Sequence, residues 1–276
     1  MRSSRWFTST RRPRFLPSPP ARAPRARGAR PQRAQQRPEE RDAMNARVLL
    51  IVTSHARLGE TGQPTGFWLE ELAAPYRAFV EAGADVDIAS PQGGKPPADP
   101  KSAQDPSGAV QAFLEDERAK AKLSSTLRID GIAGDHDAYF VVGGHGVMWD
   151  LAEDAATARL LGRAFDQGKV VAAVCHGPGA LVNARLASGE PLVKGRRVSA
   201  FSDEEEQAVG LADVVPFALE SRLRSLGARY ERGPVWKPFA VRDGRLVTGQ
   251  NPASSALVAQ ETLAALAEQE PRESAR

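Results

Sequence analysis

Cysteine is nearly missing from this chain: there is one thiol, Cys175, in 276 residues. A single cysteine excludes an intramolecular disulfide framework and a cysteine-rich zinc site. It also fits a reducing, cytoplasmic compartment better than a secreted scaffold. Histidine is scarce, with four residues, and aromatics make up only 6%. No apolar run approaches the roughly 20 residues that a membrane-crossing helix needs, so no membrane partner is expected. Lysine is absent from residues 1–43, which hold 12 Arg and 7 Pro against three acids and so carry +9. The overall +3 therefore hides a remainder with 25 basic and 31 acidic residues, net −6. A basic surface seeking nucleic acid is not supported.

The Arg- and Pro-rich extension has too few large apolar residues to offset its ordering entropy. Disorder is expected for residues 1–43 and for 271–276, leaving 44–270 as a single domain. Three origins fit the extension: translation upstream of a true start at Met44, an Arg-rich transit peptide directing the chain to an organelle, or a basic arm for polyanions.

After Met44 the pattern changes. "ARVLLIVTSH" (46–55) is a nearly continuous apolar run, as expected of a strand buried on both faces. "FWLEELAAPYRAFVEAG" (67–83) has helical spacing and ends in a glycine. "ADVDIAS" (84–90) reads as a strand, and residues 91–127 as an excursion from the core around a helical patch. Then come a strand in "DAYFVVGGHG" (137–146), a helix in 150–168, a strand in "KVVAAVCH" (169–176) and a helix in 178–187. A strand at 196–202, a helix at 213–227, a hairpin at 239–250 with Asp243-Gly244 at its turn, and a helix at 252–269 complete the chain. Alternation at this spacing predicts an α/β fold, a doubly wound, mostly parallel sheet with helices on both faces. Ligands of such sheets sit beyond the carboxyl ends of the strands, here at loops 143–149 and 175–179.

In "KVVAAVCHGPGAL" (169–181) the sole thiol stands at a strand end, beside His176 and before two glycines. This reads as a nucleophile elbow: a sharp turn lifts one side chain above the sheet, and small neighbours let substrate approach. The following helix start would favour the thiolate. The plainer alternative, a small buried apolar residue, would need neither the strand end nor the glycines.

Together "VVAAVCHGPGAL", "VVGGHG", "TGFWLEELAAPY" and "LVTGQNPASS" resemble the ThiJ/PfpI superfamily, of class I glutamine amidotransferase-like (flavodoxin-like) fold, and within it the glyoxalase III and chaperone-like branch. The resemblance runs from about Val48 to about Leu266. It implies Cys175 as nucleophile, His176 as its partner and Glu71, rather than Glu70, as the acid on the first helix. The third triad member would be an acid in "FSDEEEQ", with Glu206 matching best and Asp203 the fallback. Gly144 and the His176 amide would form an oxyanion hole, and His145 would line the pocket or bind substrate. Trp68 and Trp149 are candidate walls, though plain packing explains either. Most of the acidic run reads as structural, with Ser202-Asp203-Glu204-Glu205 forming a capping box.

A thiol, a protonatable carboxyl and an oxyanion hole suit attack on a small electrophilic carbonyl. The resemblance implies conversion of methylglyoxal or a related α-oxoaldehyde to a 2-hydroxy acid through a hemithioacetal, with no metal, glutathione, nicotinamide or other cofactor, in a homodimer. Two alternatives stay open. One is a cysteine hydrolase (deglycase, peptidase or amidase), although no histidine stands in the H-x-E pattern of glutamine amidotransferases. The other is a stress-responsive holdase or redox sensor. Metal binding by Cys175, His176 and Glu71 lacks any ligand spacing.

Overall fold

The computed structural model describes residues 44–269, so the expected disorder of 1–43 and 271–276 lies outside the described residues. In chain order the elements are β1 (Arg47–Ile51), α1 (Leu69–Glu81), β2 (Asp85–Ser90), α2 (Gly108–Glu115), α3 (Glu117–Ser124), β3 (Leu127–Arg128), β4 (Ala138–Val141), α4 (Ala155–Asp166), β5 (Val170–Val174), β6 (Arg197–Val198), α5 (Asp203–Ala208), α6 (Leu219–Ser225), β7 (Arg229–Tyr230), β8 (Ala240–Asp243), β9 (Leu246–Gly249) and α7 (Ser255–Ala267).

Seven strands form one sheet in the order β3-β2-β1-β4-β5-β9-β8. All neighbours are parallel except β8 and β9, an antiparallel hairpin at the edge. This is the doubly wound α/β arrangement. The central strands are continuous apolar runs because both of their faces are covered. Successive side chains alternate between the faces. Val48, Leu50 and Val52 pack with Leu72 and Phe79 of α1, Phe113 of α2 and Val258 of α7. Leu49 and Ile51 pack with Leu161 and Phe165 of α4 and Leu223 of α6 on the other side.

Several elements differ from the sequence reading. Residues 91–127 are part of the core, because α2 and α3 bury Val110, Phe113 and Ala119, and β3 extends the sheet beside β2. The apolar stretch after Cys175 forms only a short 3-10 turn, Gly177–Leu181, rather than a helix over 178–187. The strand expected at 196–202 shrinks to β6, which leaves the main sheet and pairs with β7. The helix expected at 213–227 is confined to α6, since Pro216 cannot continue a helical ladder. The hairpin turn is Gly244-Arg245, one residue later than expected, with Gly244 at φ 62° in the loop position that favours glycine.

Register positions the site. Ile51 pairs with Val141, and Val141 with Ala173, so β1, β4 and β5 end level with one another. The segments after them emerge side by side at the carboxyl edge of the sheet. The Trp68 N–H donates to the Gly143 carbonyl at 3.2 Å, which fastens the start of α1 to the loop after β4.

Candidate active site

Cys175 follows β5 directly and has φ 59°, one of two non-glycine residues with positive φ among those described. A side chain in that region costs on the order of 1–2 kcal/mol, so the surrounding structure must hold it. It does so through both backbone groups: the Cys175 N–H donates to Gly249 O at 2.9 Å, and the Phe201 N–H donates to Cys175 O at 2.8 Å. Gly177 completes the elbow, because a Cβ there would collide with the Val141 carbonyl. The thiol is buried yet lines a cavity of about 310 Å³, together with Trp68, Gly144, His145, His176 and Phe201.

Glu71 lies in the first turn of α1, fully buried, with its carboxyl over Gly143. A Cβ at Gly143 would strike Glu71 Oε2, so the glycine is what admits the carboxyl. Neither Glu71 oxygen has a hydrogen-bond partner of good geometry. Burial pushes its pKa up to about 8, against a smaller lowering by the nearby Cys175 thiol and Gly143 amide. The Cys175 thiol is also pushed well up, by burial first and then by Glu71, while the amides of Gly144 and His176 pull it down. The two groups thus hold their protons at rest. This corrects the expectation of a resting thiolate: the turn after Cys175 is too short to supply a strong helix dipole, and burial prevails.

His176 is fully buried, with Nδ1 3.4 Å from Cys175 Sγ and Nε2 2.8 Å from Glu206 Oε2. The other oxygen of Glu206 lies 2.9 Å from His145 Nε2. Burial would raise Glu206, but the two imidazoles outweigh it and hold the carboxyl at about 2. Burial, then His145, lowers His176, so its ring is neutral at pH 7. An ionised Glu206 only accepts, so both Nε2 atoms carry the hydrogen, and His176 Nδ1 presents a lone pair to the thiol.

The acidic run divides its work. Asp203, the fallback for pairing with His176, instead accepts from Ser221 Oγ at 2.6 Å and does not reach the histidine. Glu204 pairs with Arg232. Glu205 closes the capping box with Ser202 and also accepts from Trp236 N and Asn251 Nδ2. Glu206 alone of the four turns to the histidines. The contact of His145 with Glu206 was not foreseen, because residues 61 apart carry no local signal of it. Trp68 lines the cavity, whereas Trp149 does not and stacks on His55 at 5.4 Å. Cys175, His176 and Glu71 do not converge as metal ligands; the described residues whose donor atoms do cluster are His145, His176 and Glu206, within 4.8 Å, an arrangement their mutual hydrogen bonds account for.

A thiol raised on a strained elbow, backed by imidazole and carboxylate at the carboxyl edge of a doubly wound sheet, defines a nucleophile-elbow α/β protein. The DJ-1/PfpI family model matches residues 64–265, and the chain belongs to that family. Glyoxalase 3 of Candida albicans is 30% identical over 238 residues, covering 79% of this chain and 98% of that protein. Among solved structures, the Rapid Encystment Protein 24 kDa of Francisella tularensis superposes with TM-score 0.78 at 33% identity, covering 80% of this chain and 99% of the other. Glyoxalase III of C. albicans superposes with TM-score 0.75 at 29% identity, covering 81% and 98%. No helix among the described residues is long and apolar enough to cross a membrane.

Proposed function

We propose that the protein is a cofactor-independent glyoxalase of the glyoxalase III type, converting methylglyoxal or related α-oxoaldehydes to 2-hydroxy acids. The observation that carries this reading is the Glu71 carboxyl, buried without an ion pair, raised to about 8 and set beside the Cys175 thiol. A group with that pKa can take and return a proton near neutrality. The similarity to Glyoxalase 3 over nearly its whole length supports the same reaction class.

The geometry supports the following roles. The substrate aldehyde docks over Cys175 with its oxygen toward the amides of Gly144 and His176, which also face the sulfur. Sγ bonds to the aldehyde carbon while the thiol proton leaves through His176 Nδ1 and reaches the former carbonyl oxygen, giving a hemithioacetal. Glu71 gives its resting proton to the neighbouring carbonyl oxygen, and the carboxylate so formed removes the hydrogen from the sulfur-bearing carbon. Glu71 then protonates the enediol at the neighbouring carbon and takes up the proton released by the hydroxyl on the sulfur-bearing carbon, leaving a thioester of the 2-hydroxy acid with Glu71 protonated again. Water cleaves the thioester and regenerates the thiol. The sum is oxoaldehyde plus water to hydroxy acid, with no net redox change. Glu206 fixes the His176 tautomer throughout. The test is lactate formation from methylglyoxal in chelator without glutathione; unchanged activity in Cys175→Ser would overturn the proposal.

A second reading, a cysteine hydrolase, rests on the Cys175–His176–Glu206 series, which suits acyl transfer. It leaves the burial of Glu71 without a purpose. A burst of product from small esters or amides would favour it.

A further inference from the structure

The cavity above Cys175 is much larger than methylglyoxal and differs from it in character. At water's share of about 30 Å³ per heavy atom, a five-heavy-atom oxoaldehyde fills at most roughly 150 Å³. The cavity measures about 310 Å³, the space of roughly ten heavy atoms on the same scale. Away from the sulfur its walls are Trp68, Phe201, Val209, Trp236, Pro252 and Ala253. No lysine or arginine lines it. The one side-chain amide in the wall, Asn251, is already committed: its Nδ2 donates to Glu205 Oε1 and Lys237 O, and its Oδ1 accepts from Ser254 Oγ. Beyond the polar cluster at the sulfur, a bound molecule meets only carbon and aromatic faces.

Trp236 is held for this position. It is 45% exposed, yet its backbone has φ 61°, the second of the two positive values outside glycine among the described residues. Its N–H donates to Glu205 Oε1 at 2.9 Å, and Glu205 is itself fixed by Ser202 and Asn251. The indole sits 5.8 Å from the Phe201 ring, which in turn packs 4.4 Å from the His176 ring. A strained backbone around an exposed aromatic contributes nothing to a core; it holds the ring in the cavity wall. Val209 is also 42% exposed and shares the cavity wall. Two of the large apolar side chains exposed among the described residues therefore border one opening.

We propose that the preferred substrates are neutral 2-oxoaldehydes with a bulky apolar substituent, aryl or branched alkyl, and that Trp236 sets this preference by packing on the substituent. The inference rests on the glyoxalase reading and narrows it. The reacting carbonyls stay at Cys175 and Glu71, and the substituent fills the aromatic part of the cavity. Anionic oxoaldehydes are disfavoured, because no lysine or arginine lines the cavity to pair with their charge.

The experiment compares kcat/KM for methylglyoxal, phenylglyoxal and 4-carboxyphenylglyoxal in the wild type, Trp236→Ala and Trp236→Phe. The expected wild-type result favours phenylglyoxal over methylglyoxal by about tenfold or more, since even one methylene in an apolar pocket is worth that much. The carboxylated substrate falls below phenylglyoxal by at least the same factor. Trp236→Ala lowers the phenyl-to-methyl ratio by about tenfold, mainly through KM for phenylglyoxal, and Trp236→Phe restores most of it. The ratio cancels any general loss of folded enzyme. Turnover of methylglyoxal with a phenyl-to-methyl ratio at or below one overturns this inference while the glyoxalase reading stands. A ratio unchanged in Trp236→Ala overturns the role of Trp236. Absence of turnover with every oxoaldehyde overturns the glyoxalase reading and the inference with it.

Discussion

At the amino ends of the strands, Arg47 pairs with Asp87 and Asp135, Lys122 reaches Asp87 at 3.2 Å, and Lys169 pairs with Asp137 at 2.8 Å. All of these ions keep contact with solvent. At the carboxyl ends, Glu71 and Cys175 lie fully buried, facing each other without an ion pair, and Glu71 lacks even a well-formed hydrogen bond. The same sheet thus carries paired, hydrated charge at one edge and unpaired, desolvated protons at the other. Exposed pairs contribute little to stability, and here they hold the carboxyls of Asp87, Asp135 and Asp137 below the usual range, ionised throughout neutrality. A buried, unpaired carboxyl costs stability and acquires a pKa near neutrality in exchange. The difference locates the chemistry at one edge without reference to any single motif.

That contrast can be broken most sharply at the sulfur. Cys175→Ser should reduce turnover of oxoaldehydes by on the order of 10⁴-fold, because the hydroxyl cannot form the hemithioacetal at a useful rate. Steady-state lactate formation reads it. Glu71→Gln should cost about 10²–10⁴-fold in kcat, the usual worth of a positioned acid–base group. It should also alter the pH dependence of stability. The folded Glu71 keeps its proton up to about pH 8, while the unfolded chain releases it near 4.5, so between these values the folded state binds more protons. Wild-type stability therefore falls as pH rises through that window, and the variant lacks this loss. Melting temperatures of the two proteins at pH 5, 6.5 and 8 should diverge steadily in favour of the variant.

Glu206→Gln has a smaller effect on rate and the opposite sign for stability. The folded Glu206 is held at about 2, so its contribution is present above about 4.5 and is lost as pH falls toward 2. The variant should lose about 2–4 kcal/mol at pH 7, measurable by urea denaturation, since two imidazoles lose a buried ionic acceptor. At the opposite edge, Lys169→Met should change stability by less than about 1 kcal/mol and leave kcat/KM unaltered. A comparable loss of activity there would erase the distinction between the edges.

Much of the carboxyl edge was legible in the sequence because its signals are local. "VVAAVCHGPG" shows a strand ending in a thiol, with glycines two and four residues further on, and such an ending has few structural uses. Glu71 was separable from Glu70 through the family resemblance carried by "TGFWLEELAAPY". Less was legible where the determinant is distant. The acids at 203–206 look alike in sequence, and their separate tasks depend on Ser221, Arg232, Asn251 and His176, which other segments bring to them. The neutral thiol was misread because the burial of Cys175 depends on α1 closing over it, a packing fact, while the helix dipole was inferred from a stretch that folds only as a 3-10 turn. The short β6 and α6 were overdrawn for a related reason: apolar residues there serve loop packing rather than a regular element.

The protonation of Glu71 is the most direct point of attack. Infrared difference spectra of wild type minus Glu71→Gln, followed from pH 5 to pH 10, isolate the carboxyl stretch of this one residue. The structure predicts a protonated-carboxyl band at pH 6 that disappears with a midpoint near 8. A band already absent at pH 6, with ionisation complete near the ordinary glutamate value, would contradict the account.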